Sequence, residues 1–165
     1  MFQIKNYRTG AVQFECELSA EIAESRYEVQ LGFAAQKAFN TGADLTGAEL
    51  RCANMTGFVL TGAALTGVPV VPGLDAAILR AIKAGGRFDM HAWHGCQTAH
   101  CRGGWAIALA GKAGIKLEVE VGSAVAAALI YAASRPNKPI PDFYATDDDA
   151  MADIERCAAE QEASA

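Results

Sequence analysis

A chain of 165 residues and 17.3 kDa has the size of one ordinary domain, and 52% hydrophobic against 20% charged residues excludes a disordered polymer. The formal charge of −5 is uneven: from Asp142 onward eight acids stand against Arg156 alone, a balance of −7 that leaves +2 for residues 1–141. So neutral a bulk speaks against direct binding of nucleic-acid phosphates. The opening Met1–Asn6 has no apolar segment of the secretory type, and the longest uncharged stretch near the C-terminal half, 121–134, is too short to cross a bilayer. The expectation is a cytoplasmic protein with no membrane part, reduced thiols and a buried core helix over that stretch.

Residues 11–18 alternate with period two, Val12, Phe14, Cys16 and Leu18 on one side and Gln13, Glu15 and Glu17 on the other, which predicts a half-buried strand. Phe2 and Ile4 give a shorter strand before it, and Asn6-Tyr7-Arg8-Thr9-Gly10 supplies turn residues, so the two strands form a hairpin. Tyr27, Leu31, Ala34, Ala35 and Ala38 recur at helical spacing, and the helix stops near Asn40 to Gly42.

Residues 43–67 then repeat every five residues: ADLTG, AELRC, ANMTG, FVLTG, AALTG. The central position reads Leu45, Leu50, Met55, Leu60, Leu65, and two positions earlier stand Ala43, Ala48, Ala53, Phe58 and Ala63. A period of five fits neither helix nor plain strand; it fits a chain that turns a corner at each unit and points a large and a small residue inward. The segment resembles the pentapeptide-repeat family. That resemblance implies a short right-handed quadrilateral β-helix, here of roughly one and a quarter turns, too small to hold its own core without caps. The expected fold class is therefore α+β in one domain over 1–165: a hairpin and helix cap over 1–42, the coil over 43–67 with all five central residues buried, and a helical region over 68–165.

Pro69 and Pro72 end the repeat, and Leu74, Ala77, Ile78, Ala81 and Ile82 trace an amphipathic helix that stops at Gly85-Gly86. Further helices are expected at about 102–112 and 123–134. Three prolines keep 135–141 extended. Thr146 followed by Asp147, Asp148 and Asp149 reads as a helix N-cap with acids in the first turn, and Met151, Ile154 and Ala158 face inward behind it.

All three histidines and two of the five cysteines fall between His91 and Cys101. Three main readings stay open. In the first, the segment is an ordered structural hub pinned by Trp93 and Trp105, with His94 and His100 each donating a ring proton to a carbonyl of the turn. In the second, His94, Cys96, His100 and Cys101 hold zinc, although two adjacent residues seldom both reach one tetrahedral ion. In the third, Cys101 at a helix N-terminus beside Arg102 is a reactive thiol, with His94 or His100 as base. A Cys96–Cys101 disulfide is a further option.

The order hairpin, helix, repeats, then Trp93-His94-x-Cys96-x-Thr98-x-His100-Cys101-Arg102-x-Gly104-Trp105 and Pro141-Asp142-Phe143-Tyr144, is similar over nearly the whole chain to small uncharacterised proteins of tailed phages and proteobacterial prophages. His91 lies outside that pattern. The resemblance implies a bacterial or phage setting and brings no activity with it. No phosphate loop, nucleophile elbow or paired-carboxylate motif is present, so the expected function is a non-enzymatic accessory protein that binds a host or phage protein, as an inhibitor or anti-defence factor, with no catalytic residue assigned. The acids Asp147, Asp148, Asp149 and Asp153 are the expected contacts to a basic partner. The alternative is a metal- or thiol-dependent activity centred on His94 to Cys101.

Overall fold

The computed structural model describes residues 1–163, the side chain of Ala63 excepted. The last two residues of the expected domain, and the inward placement of Ala63, lie outside the described residues. Strands β1 (Phe2–Lys5) and β2 (Val12–Cys16) form the expected antiparallel hairpin, with Ile4 opposite Phe14. Its turn is held by the Asn6 side chain, whose Oδ1 accepts from the amides of Arg8 and Thr9 at 3.0 Å each. The second strand ends two residues earlier than its alternation suggests, because the Ser19 hydroxyl accepts from the Ile22 amide and opens a single helical turn, α1 (Ala20–Ala23). Helix α2 (Tyr27–Asn40) buries Leu31, Ala34, Ala35 and Ala38, while Tyr27 at its start stays exposed.

The expected quadrilateral β-helix is not what forms. Residues 43–67 run as successive turns with one 3-10 turn, Gly62–Leu65, and contribute no strand; the described chain is built mainly of helices with two small sheets. The five-residue rhythm itself is visible in the hydrogen bonds Ala48 N–H to Leu45 O, Ala53 N–H to Leu50 O and Phe58 N–H to Met55 O. Leu45, Leu50, Met55 and Leu60 are buried, and Leu65 only half-buried. A β-helix needs each circuit to stack on another, and about one circuit offers almost nothing to pair with. The segment instead satisfies its backbone outside itself. Tyr7 N–H donates to Gly47 O and Glu49 N–H to Lys5 O; Asn54 N–H donates to Glu28 O; Gly57 N–H donates to Ile140 O and Ile140 N–H to Phe58 O.

Helix α3 (Leu74–Lys83) follows, then a small mixed sheet of β3 (Arg87–Phe88), β4 (His94–Cys96) and β5 (Ala99–His100) in the order β3-β5-β4. Four helices complete the body: α4 (Arg102–Leu109), α5 (Gly111–Val121), α6 (Ser123–Ser134) and α7 (Asp147–Ala163). The helix expected over 102–112 breaks at Gly111, whose φ of 62° lies in the left-handed region. Helix α5 occupies a stretch with no expected element. From Ile115 its apolar residues alternate as in a strand, yet as a helix it turns Leu117 and Val121 inward and leaves Ile115 and Val119 exposed. The uncharged stretch becomes α6, buried from Ala124 to Ala132, with α4 and α5 packed on it. Helix α7 lies on α3 and begins after Thr146, whose hydroxyl accepts from the Asp149 amide at 3.2 Å. No helix among the described residues is long and apolar enough to cross a membrane.

Candidate functional site

The segment from Asp89 to Cys101 is shaped by the start of α4. Gly103 and Gly104 let Trp93 lie directly on the helix: a Cβ at Gly104 would stand 1.8 Å from Trp93 O, and one at Gly103 would stand 2.4 Å from the Trp93 ring. Trp93 also meets Phe143 and Tyr144 edge-on at 5.8 and 6.4 Å between ring centroids, so the two separated segments Trp93–Trp105 and Pro141–Tyr144 pack together. Trp105 is buried, donates Nε1–H to Arg87 O at 3.1 Å and receives the His100 ring edge-on at 4.7 Å.

The two histidines of the motif come together, in a different arrangement from the one expected. His100 Nε2 lies 3.1 Å from Gln97 O, as expected for a ring that pins the turn. His94 makes no hydrogen bond to a backbone carbonyl among the described residues. Its Nδ1 is 2.8 Å from His100 Nδ1, and its Nε2 is 3.0 Å from Glu118 Oε1 on α5. The Ser123 hydroxyl donates to the same Glu118 oxygen at 2.6 Å. Burial pushes the His100 imidazole below its usual range, the Gln97 carbonyl works against this, and neighbouring His94 adds to it. His91 stands apart, exposed, with Nδ1 3.2 Å from Asp89 Oδ1.

The four residues expected to share a metal do not converge. Cys96 is exposed and contacts Thr98 Oγ1 at 3.6 Å, while Cys101 is buried and its sulfur accepts from the Gly104 amide at 3.3 Å as the cap of α4. Among the described residues one group of three ligand-type side chains has its donor atoms within 4.8 Å of one another, and it is Asp89, His91 and Asp147 instead. All five cysteines are free, so the Cys96–Cys101 disulfide is absent. Burial raises the Cys101 thiol above its usual range, with the amides of Gly104 and Gly103 opposing this, so the sulfur expected to be reactive is held as a capping thiol. The Cys96 thiol is lowered by hydrogen bonding from Thr98.

Arg102, expected beside a reactive Cys101, is the centre of a buried network that the spacing did not reveal. Its Nη2 donates to Asp75 Oδ1 at 2.7 Å, its Nε to Tyr131 Oη at 2.9 Å and its Nη1 to Asp153 Oδ2 at 2.6 Å. Asp75 also accepts from Tyr131 Oη and Gln161 Nε2, and Arg135 Nη1 lies 3.3 Å from it. One guanidinium thus joins α3, α4, α6 and α7. Asp153, expected at an interface with a partner, is turned to this internal role. Asp147 accepts from the Met90 amide at 2.7 Å, and Asp149 pairs with Thr146 at 2.7 Å. Of the four acids, Asp148 alone makes no hydrogen bond or ion pair among the described residues.

Beside the histidines opens a cleft of about 850 Å³. Its walls come from the hairpin turn Asn6–Thr9, the repeat residues Thr46–Glu49 and Arg51, Trp93, and the α5–α6 corner from Glu118 to Ala124. Arg8, Glu49 and Arg51 border it exposed, and none of them forms an ion pair among the described residues. The corner sits on the repeat itself, with Gly122 against the Arg51 backbone.

The turns of residues 43–67 and the inward large residues define a repeat-bearing chain. Residues 37–68 match the family of pentapeptide repeats, in eight copies, so the chain carries pentapeptide repeats, and the match opens inside α2. No curated protein and no solved structure matches the chain.

Proposed function

We propose that this protein is a non-enzymatic accessory protein that binds a host macromolecule, as the likeness to small phage and prophage proteins implies, and that the partner docks in the cleft between the hairpin turn, the repeats and the α5–α6 corner. The observation that carries this reading is the cleft: it is open, of the size that receives a side-chain cluster, and bordered by unpaired charges of both signs. Several polar groups of the cluster are otherwise engaged. Both nitrogens of His94 are occupied, the Ser123 hydroxyl is given to Glu118, and the Cys101 sulfur caps a helix. The acids of α7 are a poorer interface than their charge suggests, because Asp147, Asp149 and Asp153 all serve internal contacts.

The test is affinity capture from a bacterial host, identification of the bound macromolecule, and its Kd for variants in moderate salt. Arg51→Glu is expected to weaken binding about tenfold or more, and Asp148→Lys to leave it unchanged. Loss on Asp148→Lys with indifference to Arg51→Glu would move the interface to α7.

A further inference from the structure

Ser123, Glu118, His94, His100 and the Gln97 carbonyl form one unbroken series of contacts, and its hydrogens follow from what each atom can do. A carbonyl only accepts, so His100 carries its proton on Nε2. His100 is buried, and its neutral ring then offers a lone pair at Nδ1. His94 Nδ1, 2.8 Å away, is then its donor, while the Trp93 carbonyl also lies against the His100 ring. At the far side of the His94 ring, Nε2 and Glu118 Oε1 at 3.0 Å share one proton. Each contact has one donor and one acceptor.

We propose that this series is a strap that ties the β4–β5 ribbon to the α5–α6 corner and so holds the wall of the cleft on which Trp93, Glu118 and Ser123 stand. Both parts need such a tie. Strand β4 is three residues long, exposed throughout, and its pairing with β5 is irregular between His94 and Cys96. Helix α5 buries only Gly114 fully, and Ile115 and Val119 face solvent at 55% and 81% exposure. Each buries less than α6, with Leu117 and Val121 the apolar anchors of α5, so the polar contacts add to what sets where the corner sits. The links span 24 residues from His94 to Glu118 and six from His94 to His100, and among the described residues no backbone hydrogen bond joins the ribbon to α5. Two other charged groups near the ribbon are turned elsewhere, Arg102 to Asp75 and Asp89 to His91, while Arg87 stands on β3 beside β5.

The effect of the strap on partner binding rests on the cleft reading; the strap itself does not, and two measurements separate them. The first is made on the free protein at constant pH. Imidazole nitrogen–proton NMR is expected to show His100 protonated on Nε2 with Nδ1 accepting, and His94 protonated on Nδ1. Amide hydrogen exchange is expected to rise about tenfold at 117–123 in His94→Ala and at 94–100 in Glu118→Ala, as loss of a charge-assisted hydrogen bond implies, with α6 beyond 125 unchanged. His100 protonated on Nδ1, or each substitution loosening only its own element, would overturn the strap. The second is the Kd of the captured partner for His94→Ala. Weakened binding supports a strap that shapes the docking wall. Unchanged affinity with a loosened corner would remove the cleft from the interface and leave the strap standing.

Discussion

Arg102 shows how far one side chain's role can lie from its neighbourhood in the sequence. Next to Cys101 it is a charge that could activate a thiol; in the structure it is 1% exposed and points away from the sulfur to Asp75, Tyr131 and Asp153. Burial works against its charge, but the oxygens of Tyr131 and Asp75 outweigh this and hold it firmly protonated. Removing one member of a buried pair leaves the other uncompensated, so Arg102→Leu is expected to destabilise by about 3–5 kcal/mol in urea unfolding. A loss under about 1 kcal/mol would mean that Arg135 and Gln161 satisfy Asp75 without it. Asp153 gives the same network a pH dependence. Burial tends to raise its carboxyl, but hydrogen bonds from Arg102 and Arg156 outweigh that and hold it below the usual range. A carboxylate lowered by folding contributes stability above its unfolded value of about 3.9, and that contribution is lost as pH falls through the folded value. The melting temperature is therefore expected to hold above about pH 5 and drop below about pH 4, and Asp153→Asn should make the acid decline shallower.

Among the elements, the repeat segment is the clearest case of a pattern that survives while its expected architecture does not. The period places the large central side chains inward, and the turn every five residues is present, but one circuit cannot supply its own hydrogen-bond ladder. It is held by β1, by Ile140 and by α2, where Gly32 makes the approach possible: a Cβ there would stand 1.9 Å from Asn54 O. That glycine carries the signal that the period lacks, since glycine inside a helix is costly unless a backbone lies against it. Gly32→Ala is expected to destabilise by more than the gain of about 1 kcal/mol that helix propensity alone predicts, seen as a lower melting temperature; a stabilised variant would show that the repeat does not rest on α2. Leu50→Asp, which sets a charge at a fully buried position, should prevent folding altogether, and a soluble variant that melts like the wild type would contradict the inward packing.

For the molecule as a whole, what the residues alone determined was everything carried by local period and local chemistry. That covers the hairpin with its Asn6 turn, α2, the amphipathic α3, the apolar α6, the Thr146 cap of α7, and the five-residue turns with four central side chains buried. These depend on spacing along the chain, where the physics is short-ranged. Tertiary structure decided the rest. It turned an alternating stretch into helix α5, because Gly114 fits against the Ile107 carbonyl and Leu117 and Val121 are one helical turn apart. It kept the repeats from becoming a β-helix, because their backbone found partners in other elements. It separated Cys96 and Cys101 from the histidines and joined His94 and His100 to Glu118 and Ser123 on helices that follow later in the chain. It brought Asp153 to Arg102, 51 residues away. A charge or a ring in the sequence offers several contacts of similar strength, and only the packing of distant elements removes all but one.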